Sequence, residues 1–137
     1  MKKGAGLFII CEKSKKCLLL LRSKNCTHPF TWSICGGLLE PGEEILDCAK
    51  RECFEEIGYD STMKIEFLSA FKSDNFEFHS FLALVPKQFK VNLDLKENSD
   101  YLWTTKSELL NLEPKHFGLT EILQNKKCLK KIDNYMQ

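Results

Sequence analysis

The chain has 137 residues, of which 43% are hydrophobic and 28% charged, and this balance predicts one soluble domain over residues 1–137 with its own core. Twenty Lys and Arg against nineteen Asp and Glu leave a formal charge of +1, which argues against a dedicated nucleic-acid surface or a basic membrane-binding helix. No segment approaches the roughly 18 apolar residues that span a bilayer, and the N-terminal apolar run is too short for a signal peptide.

Seven cysteines occur without a CxxC pair, and several stand in apolar surroundings. Their density is below that of a disulfide scaffold, and their spacing does not fit a zinc knuckle. We therefore expect free, mostly buried thiols and a reducing, cytoplasmic location.

The N-terminal part of the chain predicts a hairpin. Residues 4–11 and 16–22 are apolar segments joined by a polar turn at 12–15, which is typical of two antiparallel strands. A polar loop at 23–31 and a short apolar piece at 32–35 then lead to two consecutive glycines.

A long amphipathic helix is predicted over residues 43–57. Apolar side chains recur there at steps of three and four, and Gly58 is placed as a C-terminal stop. The apolar positions are Ile45, Leu46, Ala49, Cys53 and Ile57.

The C-terminal half predicts short elements of both types. Strands are expected over 64–71, 76–85 and 99–104, and helices over 106–111 and 119–125. Interleaved strands and helices predict a mixed α/β domain. The lysine-rich segment 126–131 is interpreted as a solvated helix end.

Acidic residues concentrate on the long helix and just before it. Residues 40–56 hold seven carboxylates against Lys50 and Arg51, a net charge of −5. On a helix, Glu52, Glu55 and Glu56 lie along one edge, where like charges repel. Two explanations remain open at this point: a water-exposed acidic face, or a site for a hard divalent cation, which prefers oxygen ligands.

The spacing of these residues favours the second explanation. From Gly37 the chain reads GLLEPGEEILDCAKRECFEEIGY, which resembles the Nudix signature G-x5-E-x7-R-E-U-x-E-E-x-G-U, with U a bulky apolar residue. The matching positions are Gly37, Glu43, Arg51, Glu52, Glu55, Glu56 and Gly58. Cys53 and Tyr59 occupy the two U positions as mild departures.

The rest of the chain agrees with this resemblance. Family members often carry W-x-x-P-G-G before the box, matched at 32–37 with cysteine in the proline position, and an R-S pair after the second strand, matched at 22–23. Residues 97–103 fit a further family pattern, E-x-x-E/D-Y-x-W. The resemblance implies the Nudix fold, an α/β/α sandwich with a mixed β-sheet, with the box at 37–59 in a small, MutT-like member.

The resemblance also implies a metal centre. In the family, the glutamates matched by Glu52, Glu55 and Glu56 hold Mg²⁺ or Mn²⁺, and a main-chain carbonyl at the Gly36 position often adds a ligand. Glu43 and Arg51 match a pair that orients the site, while Gly37 and Gly58 shape the backbone. The catalytic candidates are Glu52, Glu55, Glu97 and Arg51, with Glu52 preferred to Glu97 as general base.

A nucleotide-type substrate follows from the same resemblance. Arg22 is a candidate phosphate contact, and Phe76 and His116 are candidate base contacts, with Phe30, His79 and Trp103 as further aromatic candidates. Markers of the specialised subfamilies are absent, which favours hydrolysis of a (d)NTP to the (d)NMP and pyrophosphate. Alternatives that stay open are hydrolysis of nucleotide sugars, dinucleoside polyphosphates or capped RNA, and a non-catalytic nucleotide sensor; a homodimer also stays open.

Overall fold

Seven strands form a mixed sheet, and helices cover both of its faces. The computed structural model describes all of residues 1–137. The strands are β1 (Lys2–Cys11), β2 (Cys17–Arg22), β3 (Trp32–Ser33), β4 (Cys35–Leu38), β5 (Lys64–Lys72), β6 (Phe76–Val85) and β7 (Asn98–Thr104). The helices are α1 (Ile45–Ile57), α2 (Lys106–Asn111), α3 (Phe117–Gln124) and α4 (Lys126–Asp133).

The sheet branches at β1 and at β2, each of which pairs with three other strands. The main order is β3-β2-β1-β6-β5, with β4 pairing β1 and β7 pairing β2. Only β1 and β6 are parallel, and the other pairs are antiparallel. On one edge of β1, residues 4–7 pair with β4 and Ile10 pairs with β2. Since β3 pairs with β2, the strands β3 and β4 are not hydrogen-bonded to each other.

Alternating side chains of β1 build two separate cores. Leu7 and Ile9 point to the face covered by α1 and pack with its residues Cys53 and Ile57. Phe8 points to the opposite face, where buried apolar side chains of α2, α3 and α4 pack against those of the strands. A strand buried on both faces reads as an almost continuous apolar run, as β1 does. These two layers of helices around a mixed sheet confirm the predicted α/β/α sandwich.

Several predicted elements need correction at their ends. The helix predicted from residue 43 begins at Ile45, because Glu44 has extended backbone with ψ 151°. The Gly36-Gly37 segment, which carries no strand signal in the sequence, is part of β4. Residues 126–131 are not a solvated helix end. They belong to a separate helix, α4, whose N terminus is capped by Asn125.

Two further expectations concern membrane-spanning helices and the state of the cysteines. No helix is both long enough and apolar enough to cross a bilayer. All seven cysteines are free; six are buried and Cys26 is partly exposed.

Candidate active site

The C-terminal turns of α1 carry the acidic residues that the sequence singles out. Gly58 ends the helix in the left-handed conformation, with φ 75°, and its N–H donates to the carbonyl of Phe54 at 2.9 Å. Glycine adopts this conformation without the steric cost that a Cβ would add. Because Glu52, Glu55 and Glu56 all lie within this helix, their spacing places them within about one turn of each other.

Arg51 connects the helix to the loop that precedes it. Its Nε donates to Glu43 Oε2 at 2.7 Å and its Nη2 donates to Glu43 Oε1 at 3.0 Å, a bidentate pair. Nη1 donates to Glu52 at 3.0 Å and to Glu55 at 2.9 Å. Nη2 also donates to the carbonyl of Leu38 at 3.0 Å. One guanidinium thus holds three carboxylates and a main-chain carbonyl in fixed positions.

Arg51 and its carboxylate partners shift each other's pKa values. Its hydrogen bonds to Glu43 lower the pKa of that carboxyl to about 2, and the same carboxylates hold the pKa of Arg51 above its usual range. Both groups therefore stay ionised at neutral pH, and the predicted orienting pair is a closed ionic contact.

Glu56 is the buried carboxyl of the cluster, with 7% of its surface exposed. The Gly36 N–H donates to its Oε1 at 2.6 Å, and the Asn98 amide donates to its Oε2 at 2.9 Å. Burial nevertheless raises the pKa of Glu56 to about 8, and repulsion from Glu52 and Glu97 adds to the effect. Two donors hold the side chain in place, but no cationic side chain pairs with it.

Glu52 lies against Gly37. A Cβ built on Gly37 would come within 2.5 Å of both carboxylate oxygens of Glu52, so only glycine fits there. Desolvation raises the pKa of Glu52 despite its bond to Arg51, and Glu97 is among the charges that add to the rise. Glu97 itself is exposed at the end of the loop before β7, where the Cys26 thiol donates to its carbonyl at 3.2 Å.

The charge of this cluster fits a hard divalent cation, although its ligands are not gathered into one set. No three His, Cys, Asp or Glu side chains in the protein are grouped to hold a metal ion. Arg51 engages Glu52 and Glu55, and the Gly36 contact is made through its N–H. The available ligand atoms are all oxygens, and no cationic side chain offsets the burial that raises the pKa of Glu56, so a bound cation would favour its charged form.

A cleft of about 570 Å³ lies on the opposite face of the sheet, next to Gly36 and Gly37. It contains all three substrate-contact candidates of the sequence, Arg22, Phe76 and His116. Arg22 is partly held by Thr27, donating from Nε to the carbonyl at 2.8 Å and from Nη2 to the hydroxyl at 3.0 Å. The volume lies in the range typical of small-molecule sites.

His116 forms the N-cap of α3 at one wall of the cleft. Its Nδ1 accepts from the Gly118 N–H at 3.1 Å, which requires that nitrogen to be unprotonated. Burial, together with the nearby Arg22 and His28, lowers the pKa of His116 to about 4. The ring is therefore neutral at physiological pH and packs at 4.4 Å, centroid to centroid, against Phe117.

The remaining aromatic candidates do not line the cleft. Phe30 is exposed, His79 pairs with Glu77 at 2.9 Å, and Trp103 packs edge-on against Phe89 in the α1-side core.

Sequence reasoning missed several residues of the site. Asn98 is 2% exposed and holds Glu56, and its position directly after the candidate Glu97 is the signal that could have found it. The cleft also contains His28, from the loop before β3, and Phe117. Nothing in their local sequence distinguishes them from ordinary loop or core residues.

Comparisons with known proteins bear on the fold and family. A family model described as a NUDIX domain matches residues 1–125. Similar solved structures include a MutT protein from Methanosarcina mazei Go1, with 20% identity, a TM-score of 0.74 and coverage of 97% of this chain and 93% of that one. An Ap4A hydrolase from C. elegans, in a binary complex, has 23% identity, a TM-score of 0.66 and coverage of 81% and 85%. The NUDIX domain of Shewanella oneidensis NrtR, complexed with ADP ribose, has 16% identity, a TM-score of 0.76 and coverage of 95% and 87%.

Proposed function

Since the chain belongs to the Nudix family, whose domain model matches residues 1–125, we propose that it is a divalent-metal-dependent pyrophosphohydrolase that converts a (d)NTP into the (d)NMP and pyrophosphate. It is a hydrolase acting on pyrophosphate bonds, as its family implies; the choice of substrate and the role of each residue are the proposal.

One observation carries the proposal: the carboxylate cluster and the cleft meet at Gly36 and Gly37. Both glycines line the cleft, while Glu56 accepts from the Gly36 N–H and Glu52 lies against Gly37. A ligand in the cleft can therefore extend toward the carboxylates from the opposite face of the sheet. This is the arrangement needed to bind a base and cleave a phosphate chain.

The phosphate chain repels an attacking water, and the protein must offset this repulsion. Glu52, Glu55 and Glu56 would hold Mg²⁺ or Mn²⁺, with the Gly36 carbonyl as a further ligand. When bound, the cation neutralises phosphate oxygens and activates water. Outside residues 40–56, the other 120 residues carry a net charge of +6, which favours approach of a polyanion.

The side chains then have separate tasks. Arg51 keeps Glu52 and Glu55 oriented while Glu43 keeps Arg51 in place. Glu52 is the preferred general base because it lies against Gly37, which lines the cleft, whereas Glu97 is exposed on a loop. On the cleft side, the guanidinium of Arg22 binds a phosphate oxygen.

We assign base binding to the aromatic side of the cleft. Phe76 offers an apolar ring, and the neutral imidazole of His116 keeps its Nδ1 bonded to α3.

The same proposal includes a reducing, cytoplasmic location, because the thiols of the protein are unpaired and mostly buried.

The test is product analysis with a substrate panel at one Mg²⁺ concentration. The panel contains the eight common NTPs and dNTPs, ADP ribose, a nucleotide sugar, diadenosine tetraphosphate and capped RNA. Release of pyrophosphate from one or more triphosphates, with the highest kcat/KM in the panel, supports the proposal. Preferred release of a sugar phosphate, a nucleoside diphosphate or a cap fragment overturns the substrate, and no turnover of any compound indicates a sensor.

A further inference from the structure

Two serines at the floor of the cleft carry hydroxyls that the protein itself does not use. Ser33 is 7% exposed and Ser80 is 4% exposed, and both line the cleft. Neither hydroxyl makes a hydrogen bond within the protein. No fully enclosed polar side-chain atom in the protein lacks a hydrogen-bond partner, so each hydroxyl keeps some exposed surface, and both residues line the cleft.

The position of Ser80 follows from the sheet register. Ser80 of β6 pairs with Gly6 of β1, and Gly6 pairs with Gly36 of β4. Three neighbouring strands therefore present a hydroxyl and two glycines in one row. Two strand spacings separate Ser80 from Gly36, a span of about 10 Å. A ligand that reaches both Ser80 and the carboxylate behind Gly36 must extend across this row.

Ser33 lies on the adjoining wall. The His116 N–H donates to the carbonyl of Trp32 at 2.9 Å, so Ser33 follows directly on the residue that fixes the start of α3. Ser33 and His116 both line the cleft.

The walls around the two hydroxyls are aromatic. Phe76 and Phe78 come from β6, Phe71 from β5 and Phe117 from α3, and all four line the cleft. Flat apolar faces around a few open hydrogen-bonding groups suit a planar heterocycle with polar atoms on its edge. A purely apolar ligand would leave both hydroxyls without partners, which is unfavourable in a desolvated site.

From this arrangement we infer that Ser33 and Ser80 bind the polar edge of the nucleobase and set the base preference of the enzyme. The inference rests on the proposed function and adds to it two specificity-determining residues. Each hydroxyl can donate and accept, so it matches bases that present a carbonyl or an amino group at that point. Because the inference assigns both residues to the base and not to the phosphates, we expect the effect in substrate binding.

The test compares Ser33→Ala and Ser80→Ala with the wild type over the triphosphate panel. For the preferred base we expect KM to rise about tenfold, as for loss of one hydrogen bond, with kcat little changed. For triphosphates with other bases KM should rise less, so the ratio of kcat/KM for the preferred base to kcat/KM for the other bases should fall. A KM that rises equally for all bases, or does not rise for any, overturns the inference.

Ser73→Ala is the matched control. Ser73 lies at the exposed rim of the same cleft, and its hydroxyl already donates to the carbonyl of Phe76 at 3.4 Å. Its removal should leave base preference unchanged. Thermal unfolding of all three variants checks that the fold is retained, and a base-selective change from Ser73→Ala equal to that from Ser80→Ala counts against the inference.

A binding measurement separates this inference from the proposed function. Nucleoside 5′-monophosphates are added to the isotope-labelled, metal-free protein, and the amide signals of residues 33 and 80 are followed by NMR. Base-dependent shifts that are lost in the two alanine variants support the inference even if no triphosphate is hydrolysed. Triphosphate hydrolysis without such shifts leaves the proposed function standing and overturns the inference.

Discussion

The two faces of the sheet hold their polar groups in opposite ways. On the α1 side, Glu43, Glu52, Glu55 and Glu56 are all hydrogen-bonded, most of them to Arg51. On the cleft side, hydroxyls remain open between aromatic rings. On the first face, hydrogen bonds within the protein fix the charges before a ligand arrives. The second has groups available to a ligand, which is what selection among related molecules requires.

The largest expected effect comes from Glu56→Gln. Two donors face this side chain, and an amide can accept from only one of them while losing the negative charge needed to hold a cation. We expect hydrolysis to fall by about a thousandfold or more, with the fold retained.

The matched control is Glu66→Gln, which makes the same change at an exposed position on β5. It should keep wild-type turnover. Steady-state rates with circular dichroism check both variants, and full activity of Glu56→Gln would show that the acidic face does not bind the metal.

Gly37→Ala tests the boundary between the two faces. Its Cβ would collide with the Glu52 carboxylate and displace it. A displacement of about 1 Å in a catalytic group costs about a hundredfold in rate. The comparison is Gly42→Ala, where φ is 79° but a Cβ meets no atom within 4 Å.

Gly42→Ala should lower the free energy of unfolding by about 1 kcal/mol through backbone strain and leave the rate unchanged. Kinetics and chemical denaturation of both variants separate the two effects. Equal rates for Gly37→Ala and wild type would mean that Glu52 can move away from Gly37 without loss.

Metal binding should stabilise the folded protein through the acidic face alone. At a Mg²⁺ concentration about 100 times Kd, the expected gain is about 2.7 kcal/mol, enough to raise Tm by several degrees. NaCl at equal ionic strength is the control, and Glu56→Gln should lose the shift. A rise in Tm that survives in Glu56→Gln would place the ion elsewhere.

The smallest effect concerns His116, whose native pKa of about 4 lies below the usual 6.5. Between these values the unfolded chain binds a proton that the native protein does not, so stability falls as pH drops from 6.5 to 4. For this half-buried ring, solvent screening limits the effect to on the order of 1 kcal/mol.

His116→Asn replaces the capping nitrogen with a side-chain oxygen that can also accept, and it removes the titration. Urea denaturation at pH 4 and pH 7 should show a smaller loss of stability at low pH in this variant than in the wild type. An identical loss in both proteins would assign the pH dependence to other groups.

Local patterns predicted the acidic face well because its residues lie on one helix. Helical period and a fixed spacing relate Arg51 to Glu52 and Glu55 without reference to the rest of the chain. The sequence also predicted β6 with its exact bounds. By contrast, β4 contains two glycines and has no strand propensity. It forms because Gly4 and Gly6 of β1 allow the two backbones to approach closely.

The cleft could be predicted only in part, because its walls come from separate elements. Arg22, Phe76 and His116 follow from the family resemblance, whereas Ser33 and Ser80 have no distinguishing neighbours. Their importance depends on register and on which hydroxyls lack partners, neither of which is visible in one sequence. The burial of Ile132 in α4 was missed for a related reason: four lysines around it favoured a solvated segment.

The pair Gly36-Gly37 has a practical consequence for redesign. Within the 37–59 box only Gly37 and Leu38 line the cleft, with Gly36 just before them, so the cleft-lining side chains of β5, β6 and α3 can be exchanged without changing any residue of the acidic helix. A library confined to the cleft-lining positions of those three elements would vary the contacts available to a ligand while leaving the acidic helix unchanged.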